Sequence, residues 1–161
     1  KSIIDKTVND NPISDIIIAG GSSGGYMTWK MVLNYPELFD GCIPVSSGFM
    51  PSISQLKMLE SKGINILYAC GKHDEFGCYK KEYSEIYNYI SEMKNGICYT
   101  PEWTRNGDHG VASLFFGIEM GQHCMITQVQ ANLMFDDGTP YYDKLPDGIT
   151  GWIKNCHRNK E

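Results

Sequence analysis

Residues 15–25 read DIIIAGGSSGG, an apolar run that passes directly into a turn of glycine and serine. Three consecutive isoleucines predict a β-strand over residues 15–19 that is buried on both faces. The next residues, YMTWKMVLN at 26–34, carry one charge and predict a mostly enclosed helix that ends before Pro36. A strand, a tight turn and a helix in immediate succession indicate a unit of a parallel α/β sheet.

The rest of the chain repeats this alternation of short apolar runs and longer amphipathic segments. Further strands are predicted over residues 41–46, 64–70 and 97–100. Helices are predicted over residues 51–62, 79–93, 125–135 and 147–154. Gly96 is predicted to end the helix before the fourth strand, and Asp147 to be the N-cap of the last helix. The fold class that follows is α/β, with a mostly parallel sheet and flanking helices.

Composition and charge exclude several classes of protein. The chain has 161 residues, of which 42% are apolar and 20% charged, as in one ordinary globular domain. Its net charge is −5 with no basic run, so it would repel a phosphate backbone and nucleic acid is not an expected partner. No stretch approaches the roughly 18 uninterrupted apolar residues of a membrane span. A membrane is therefore not an expected partner either.

The six cysteines show no CxxC spacing, so the sequence predicts no structural zinc site and no metal. Three of them lie inside apolar, strand-like runs, namely Cys42, Cys70 and Cys98. A free thiol in such a run behaves as a small apolar side chain. These three cysteines are expected to be buried and unpaired.

The turn at residues 20–25, GGSSGG, satisfies the G-x-S-x-G pattern of a nucleophile elbow in two registers, one centred on Ser22 and one on Ser23. A serine on a tight, strained turn needs residues without side chains two positions before and after it, so that strand and helix can approach closely. For Ser22 those residues are Gly20 and Gly24. Free backbone N–H groups at the start of the helix can stabilise an oxyanion. They can equally bind an anion without catalysis, which leaves a non-catalytic α/β anion-binding module as an alternative.

An elbow serine requires an acid and a base further along the chain, in the order Ser, acid, His. The third predicted strand runs into GKHDE at residues 71–75, which places Asp74 where the acid is expected and Glu75 one residue further on. For the base, His109 follows the fourth strand and His123 precedes a helix-like segment. His73 adjoins the acid and is expected to point elsewhere.

Residues 16–48, IIIAGGSSGGYMTWKMVLNYPELFDGCIPVSSG, resemble the elbow region of α/β-hydrolase esterases of the polyhydroxybutyrate-depolymerase and feruloyl-esterase type. In these esterases the elbow serine is followed by a small residue, two glycines and often a Met-Thr pair. That pattern matches residues 23–25, 27 and 28, and favours Ser22 over Ser23 as the nucleophile. In this family the catalytic histidine lies in a Gly-His-Cys-Trp motif. Residues 121–124, GQHC, are similar to that motif, which favours His123 over His109 as the base.

The resemblance implies a serine esterase that cleaves carboxylic esters through a Ser-His-Asp triad and an acyl-enzyme, without a cofactor. Ser22 would be the nucleophile, His123 the base and Asp74 the acid, with the Ser23 N–H in the oxyanion hole. The expected substrate is a small-molecule or polysaccharide-linked ester. A serine peptidase of the prolyl-oligopeptidase type shares the triad and the fold, and is an alternative in which His109 would be the base.

The resemblance also carries an expectation about completeness. An α/β-hydrolase takes its second oxyanion N–H from a loop after an earlier strand. No such strand and loop are recognised before residue 15, so residues 1–161 are expected to form a single, partial α/β-hydrolase domain that lacks the N-terminal strands. A second chain or a missing segment would then complete the sheet at an exposed edge.

Overall fold

A computed structural model of the chain describes residues 13, 15–74, 76–102, 132–134 and 137–156. Its four strands form one sheet in the order β1 (Ile17–Gly21), β2 (Gly41–Val45), β3 (Asn65–Ala69) and β4 (Gly96–Tyr99). All three strand pairs are parallel. The helices are α1 (Ser23–Asn34), α2 (Ile53–Ser61), α3 (Ser84–Glu92) and α4 (Gly148–Lys154), with 3₁₀ turns at Pro36–Leu38 and Lys81–Tyr83. The α/β prediction is confirmed.

The connections explain how the two faces of the sheet are covered. Each strand is joined to its immediate neighbour through a helix, and buried residues of α1, α2 and α3 belong to one cluster on the same face. One buried cluster lies between these helices and the sheet, and includes Trp29, Val32, Cys42, Leu56, Leu59, Ile66, Tyr68, Tyr87, Ile90 and Cys98. A second cluster packs α4 against the alternate strand residues, and includes Ile43, Val45, Leu67, Ala69, Tyr99, Leu133, Leu145 and Ile149. Burial on both faces accounts for the unbroken apolar runs in the strands.

The first helix begins three residues earlier than predicted, because the elbow glycines are themselves helical. α1 starts at Ser23, and the Tyr26 N–H already donates to the Ser22 carbonyl at 3.1 Å. β1 likewise extends through the elbow's first two glycines, where Gly20 pairs with Pro44 and Gly21 with Val45. The glycine-rich stretch is therefore divided between strand and helix, with only Ser22 at the turn.

The prediction for Gly96 is wrong. α3 ends at Glu92 and Gly96 opens β4, paired with Ile66. A side chain at Gly96 would collide with the Ile90 carbonyl, so the glycine permits close approach of strand and helix end.

Two predictions about the C-terminal part also need correction. Asn132 and Leu133 of the predicted helix 125–135 lie in a turn, with φ of 66° and 53°, and Met134 forms an isolated bridge to Pro140. The remainder of that range lies outside the described residues. Asp147 occupies the N-cap position of α4 but makes no capping hydrogen bond. Asn132 supplies that contact instead, because its Oδ1 accepts from the Thr150 N–H at 2.6 Å.

The five cysteines in the described part of the chain are buried free thiols, as predicted for Cys42, Cys70 and Cys98. No cluster of three or more potential metal ligands occurs within the ranges that the structure describes. None of the helices described is long and apolar enough to cross a membrane. β1 lies at one end of the sheet order and is less buried than β2, all of whose residues are buried.

Candidate active site

The carboxyl ends of the parallel strands meet at one edge of the sheet, the edge where α/β proteins commonly bind ligands. Ser22 follows β1, Ser46 follows β2 and Cys70 follows β3. Sheet hydrogen bonding continues through these residues. The N–H groups of Ser22, Ser46 and Cys70 donate to the carbonyls of the neighbouring strands at 2.9, 2.8 and 3.0 Å. The three side chains therefore originate from one row across the edge, with the Asp74 loop directly beyond Cys70.

Ser22 occupies the turn between β1 and α1 in a strained conformation. Its φ is 57° and its ψ is −120°, a backbone geometry that favours glycine. Such strain costs on the order of 1–3 kcal/mol and persists only where the surroundings enforce it. Here the Ser22 N–H donates to Val45 and its carbonyl accepts from Tyr26. Ser23, the centre of the alternative register, is the first residue of α1 and is exposed.

The glycines of the turn differ in how much space a Cβ atom would have at each position. A Cβ on Gly20 would lie 2.5 Å from the Gly24 carbonyl oxygen, and one on Gly25 would lie 2.6 Å from the Val45 carbonyl oxygen. A Cβ on Gly24 would meet nothing within 4 Å. The expectation that packing requires glycine at both flanks of Ser22 therefore holds for Gly20 and is wrong for Gly24. The second close approach is made by Gly25, against β2.

The start of α1 provides hydrogen-bond donors beside Ser22. Ser22 is the N-cap residue of this 12-residue helix, yet its side chain makes no capping hydrogen bond. The first N–H groups of a helix have no partner within the helix and carry its positive dipole end. The Ser23 N–H is the first of these groups and directly follows the turn.

Asp74 is held rigidly in the loop after β3. It is 8% exposed, and its Oδ1 accepts from the N–H groups of Phe76 at 3.0 Å and Cys78 at 3.2 Å. The Asp74 backbone closes the same turn, donating to Gly71 and accepting from Gly77. The Asp74 side chain is thus buried and held in place by the backbone of its own loop.

Ser22 and Cys70 follow strands that are separated by β2. Parallel strands lie about 4.8 Å apart, so the backbones at these two strand ends are roughly 10 Å apart across the edge. Ser46 follows β2 and lies between them in the row.

The Asp74 loop is also tied to the end of β4 by a small charged cluster. The Glu102 carboxylate accepts from the Lys72 ammonium at 3.0 Å and contacts His73 Nε2 at 3.0 Å. Hydrogen bonding to Lys72 lowers the pKa of Glu102. His73 is thus paired with Glu102 through its Nε2. No sequence pattern indicated Glu102, which lies 29 residues from His73.

Both candidate bases belong to the part of the chain after β4. His109 and His123 lie outside the described residues, as do Glu75 and His157. Both His109 and His123 come after β4 in the chain, and β4 is the neighbour of the strand that carries Asp74. Their assignment stays a prediction.

An aromatic pair stands next to the elbow on the helix side of the sheet. Tyr26, one turn beyond Ser22, makes an edge-to-face contact with Phe49 at a centroid distance of 5.6 Å. The Lys30 ammonium lies 5.1 Å from the Phe49 ring centroid, within cation–π range. Tyr26 is 42% exposed, so part of this aromatic surface is open to a ligand.

Comparison with known proteins identifies a fold rather than a family. No family model and no curated protein matches the chain. The crystal structure of a thermostable esterase superimposes with a TM-score of 0.53 at 23% sequence identity. The match covers 79% of this chain and 31% of the esterase, so the chain spans about a third of that protein. The likeness shows an α/β-hydrolase-type fold.

Proposed function

We propose that the chain is a serine hydrolase that cleaves carboxylic esters through an acyl-enzyme. The observation that carries this proposal is the strained serine, Ser22, between a buried strand and the start of α1. Backbone strain at a non-glycine residue is costly and is concentrated at functional sites. The esterase fold of the structural neighbour supports the same chemistry at the level of the fold.

In the proposed reaction the Ser22 hydroxyl attacks the ester carbonyl carbon while the base, His123, takes its proton. The carbonyl oxygen becomes an oxyanion that accepts a hydrogen bond from the Ser23 N–H. The imidazolium then returns the proton to the leaving alcohol, and the acyl group remains on Ser22. A water molecule, deprotonated by the same imidazole, releases the acid and restores the serine. His109 is the alternative base.

Asp74 would orient the imidazole and stabilise its cation. The proposal is supported by its burial and by the two N–H groups that fix its Oδ1. A carboxylate that is already desolvated and aligned needs no reorganisation when the imidazolium forms. Asp74 follows β3, which is two strands from β1 in the sheet.

The substrate is proposed to be a small-molecule or polysaccharide-linked ester. The pair of rings at Tyr26 and Phe49 offers an apolar surface beside Ser22 for an acyl or alcohol group. We also propose that the chain forms a partial α/β-hydrolase domain whose sheet is completed beyond β1 by a second chain or a further segment. Light scattering tests the first of these options, since a dimer supports it and a monomer contradicts it.

The function is tested by hydrolysis of a simple aryl ester by the chain and by two neighbouring variants. Ser22→Ala is expected to lower kcat by at least about a thousandfold, whereas Ser23→Ala keeps the backbone N–H and is expected to retain activity. Full activity of Ser22→Ala would refute the assignment. Comparing a matched aryl amide with the ester separates an esterase from a peptidase of the prolyl-oligopeptidase type.

A further inference from the structure

Lys30 is the one charged residue of α1, whose other side chains are apolar or neutral. Its ammonium lies 5.5 Å from the ring centroid of Tyr26 and 5.1 Å from that of Phe49, both within cation–π range. The ion pairs within the part of the chain that the structure describes involve Glu102, and none of them includes Lys30. In that part of the chain, Lys30 therefore rests on two aromatic rings rather than on an acid.

The charge of the whole chain makes this arrangement of Lys30 informative. The sequence has 19 acidic and 14 basic residues, so a lysine has more carboxylates than competing cations to pair with. An ammonium has three N–H donors, and a ring face accepts the cation without supplying an oxygen. Because the contact of a lysine with exposed rings is weak, an anion can bind the ammonium while the rings still hold it.

The two rings are held in place by their surroundings. The hydroxyl of Ser47, which is 0% exposed, donates to the Phe49 carbonyl at 2.9 Å and accepts from the Phe49 N–H at 3.3 Å. These two hydrogen bonds fix the backbone that carries the Phe49 ring. The Tyr26 ring meets that ring edge to face, with an interplanar angle of 78°. Tyr26, Lys30 and Phe49, here called the Lys30 platform, are therefore arranged before any ligand binds.

Printed contacts lead from the Lys30 platform to the candidate nucleophile. The Tyr26 N–H donates to the Ser22 carbonyl at 3.1 Å, which places Tyr26 in the first turn of α1. Lys30 lies one turn further on, and its ammonium lies over the Tyr26 ring, so its side chain runs back towards the start of the helix. The start of a helix is the positive end of its dipole. The ammonium and the dipole thus both favour a negative charge beside the first turns of α1.

We propose that the Lys30 platform binds a carboxylate carried by the ester substrate, so that the chain prefers esters of acidic compounds to neutral esters of the same size. The proposal rests on the proposed function and names the substrate class of that site. The carboxylate accepts a hydrogen bond from the Lys30 ammonium, and the adjoining apolar part of the substrate packs on the exposed part of Tyr26. A chain with a net charge of −5 repels an anion at long range, so a local cation is needed to hold one.

Two pairs of aryl esters test the preference, because the members of each pair differ in a carboxylate alone. The half-ester para-nitrophenyl adipate is compared with para-nitrophenyl hexanoate, which places the carboxylate in the acyl part. The ester meta-carboxyphenyl hexanoate is compared with phenyl hexanoate, which places it in the alcohol part. A higher kcat/KM for the anionic member of either pair supports the proposal and identifies the part of the ester that reaches Lys30.

Three variants separate the charge of Lys30 from its other contacts. Lys30→Met removes the charge and keeps a long apolar side chain over the rings. Lys30→Arg restores a cation at the same place. Lys57→Met is the matched control, because it removes the same charge from an exposed position on the neighbouring helix α2. Any effect of net charge alone should therefore be equal in Lys30→Met and Lys57→Met.

The parent is expected to prefer the anionic ester about three- to tenfold in kcat/KM, mainly through KM, as for a partly exposed charge-assisted contact. Lys30→Met should lose this preference, whereas Lys30→Arg and Lys57→Met should keep most of it. High salt should reduce it in the parent, because exposed charges are screened. A parent without a preference in either pair, or a preference that survives in Lys30→Met, would overturn the proposal and leave the hydrolase function standing.

A binding measurement that needs no hydrolysis distinguishes the two proposals. The chain is titrated with phenylacetate and with the neutral phenylacetamide while the NMR signals of the Tyr26 ring are followed. Phenylacetate should bind more tightly in the parent, and about as weakly as phenylacetamide in Lys30→Met. This result in a chain that hydrolyses no ester would support the anion site and reject the hydrolase function. Equal binding of the two compounds in such a chain would reject both.

Discussion

The two glycines that flank Ser22 should respond in opposite ways to alanine. In Gly20→Ala the new Cβ would lie 2.5 Å from the Gly24 carbonyl oxygen and 2.9 Å from Thr28 Oγ1. Ordinary contact begins near 3.4 Å, so strand and helix must separate by almost an ångström. The obstructing oxygen belongs to the backbone and cannot rotate away. Overpacking of this kind costs about 3 kcal/mol, the upper part of its usual range.

Gly24→Ala puts its Cβ into open space on a helix. Replacing glycine by alanine within a helix stabilises by about 1 kcal/mol. For a chain of this size, 1 kcal/mol corresponds to about 2–4 °C in Tm. Gly20→Ala should therefore melt about 6–12 °C below the parent and Gly24→Ala about 2–4 °C above it.

Thermal unfolding followed by circular dichroism measures both variants against the parent. Both glycines belong to one sequence motif and lie four residues apart, so the motif alone would predict the same effect for both variants. Equal losses in Tm, or a larger loss for Gly24→Ala, would refute the packing that we derive for the elbow. Reactivity towards a fluorophosphonate should survive in Gly24→Ala, whose backbone donors are unchanged.

Two further outcomes are expected. Ser22→Gly relieves the backbone strain at φ 57°. It should raise the free energy of unfolding, measured by urea titration, by about 1 kcal/mol and abolish ester hydrolysis. A lower free energy of unfolding in Ser22→Gly would contradict the strain. Burial raises the pKa of Cys98 and Cys156 to about 12, whereas thiols in the unfolded chain ionise near pH 9. The contribution of these protonated thiols to folding stability is therefore complete below pH 9 and is lost as the pH rises towards 12. The urea midpoint should fall over that window, and less steeply in Cys156→Ala.

The fold was largely predictable from the sequence, and the errors lie where residues distant in the chain decide the outcome. Unbroken apolar runs marked the sheet, because strands covered on both faces exclude polar residues. The end of β1 was placed too early, since Gly20 and Gly21 are poor strand formers and pair only because β2 lies beside them. Asp147 was assigned a capping role that Asn132, 18 residues from Thr150, performs.

The candidate site was predictable as far as local motifs reach. Gly-x-Ser-x-Gly after a strand predicted the turn at Ser22, and the loop after β3 was predicted to carry Asp74, which is buried there. Which glycine tolerates a side chain depends on the distance to β2, so the pattern alone could not distinguish Gly24 from Gly25.

The identity of the nucleophile is tested most directly by mass spectrometry of the chain after reaction with a fluorophosphonate probe. The account predicts a single adduct on Ser22, abolished in Ser22→Ala and retained in Ser23→Ala. An adduct on Ser23, or a folded chain that takes up no probe at all, would contradict it.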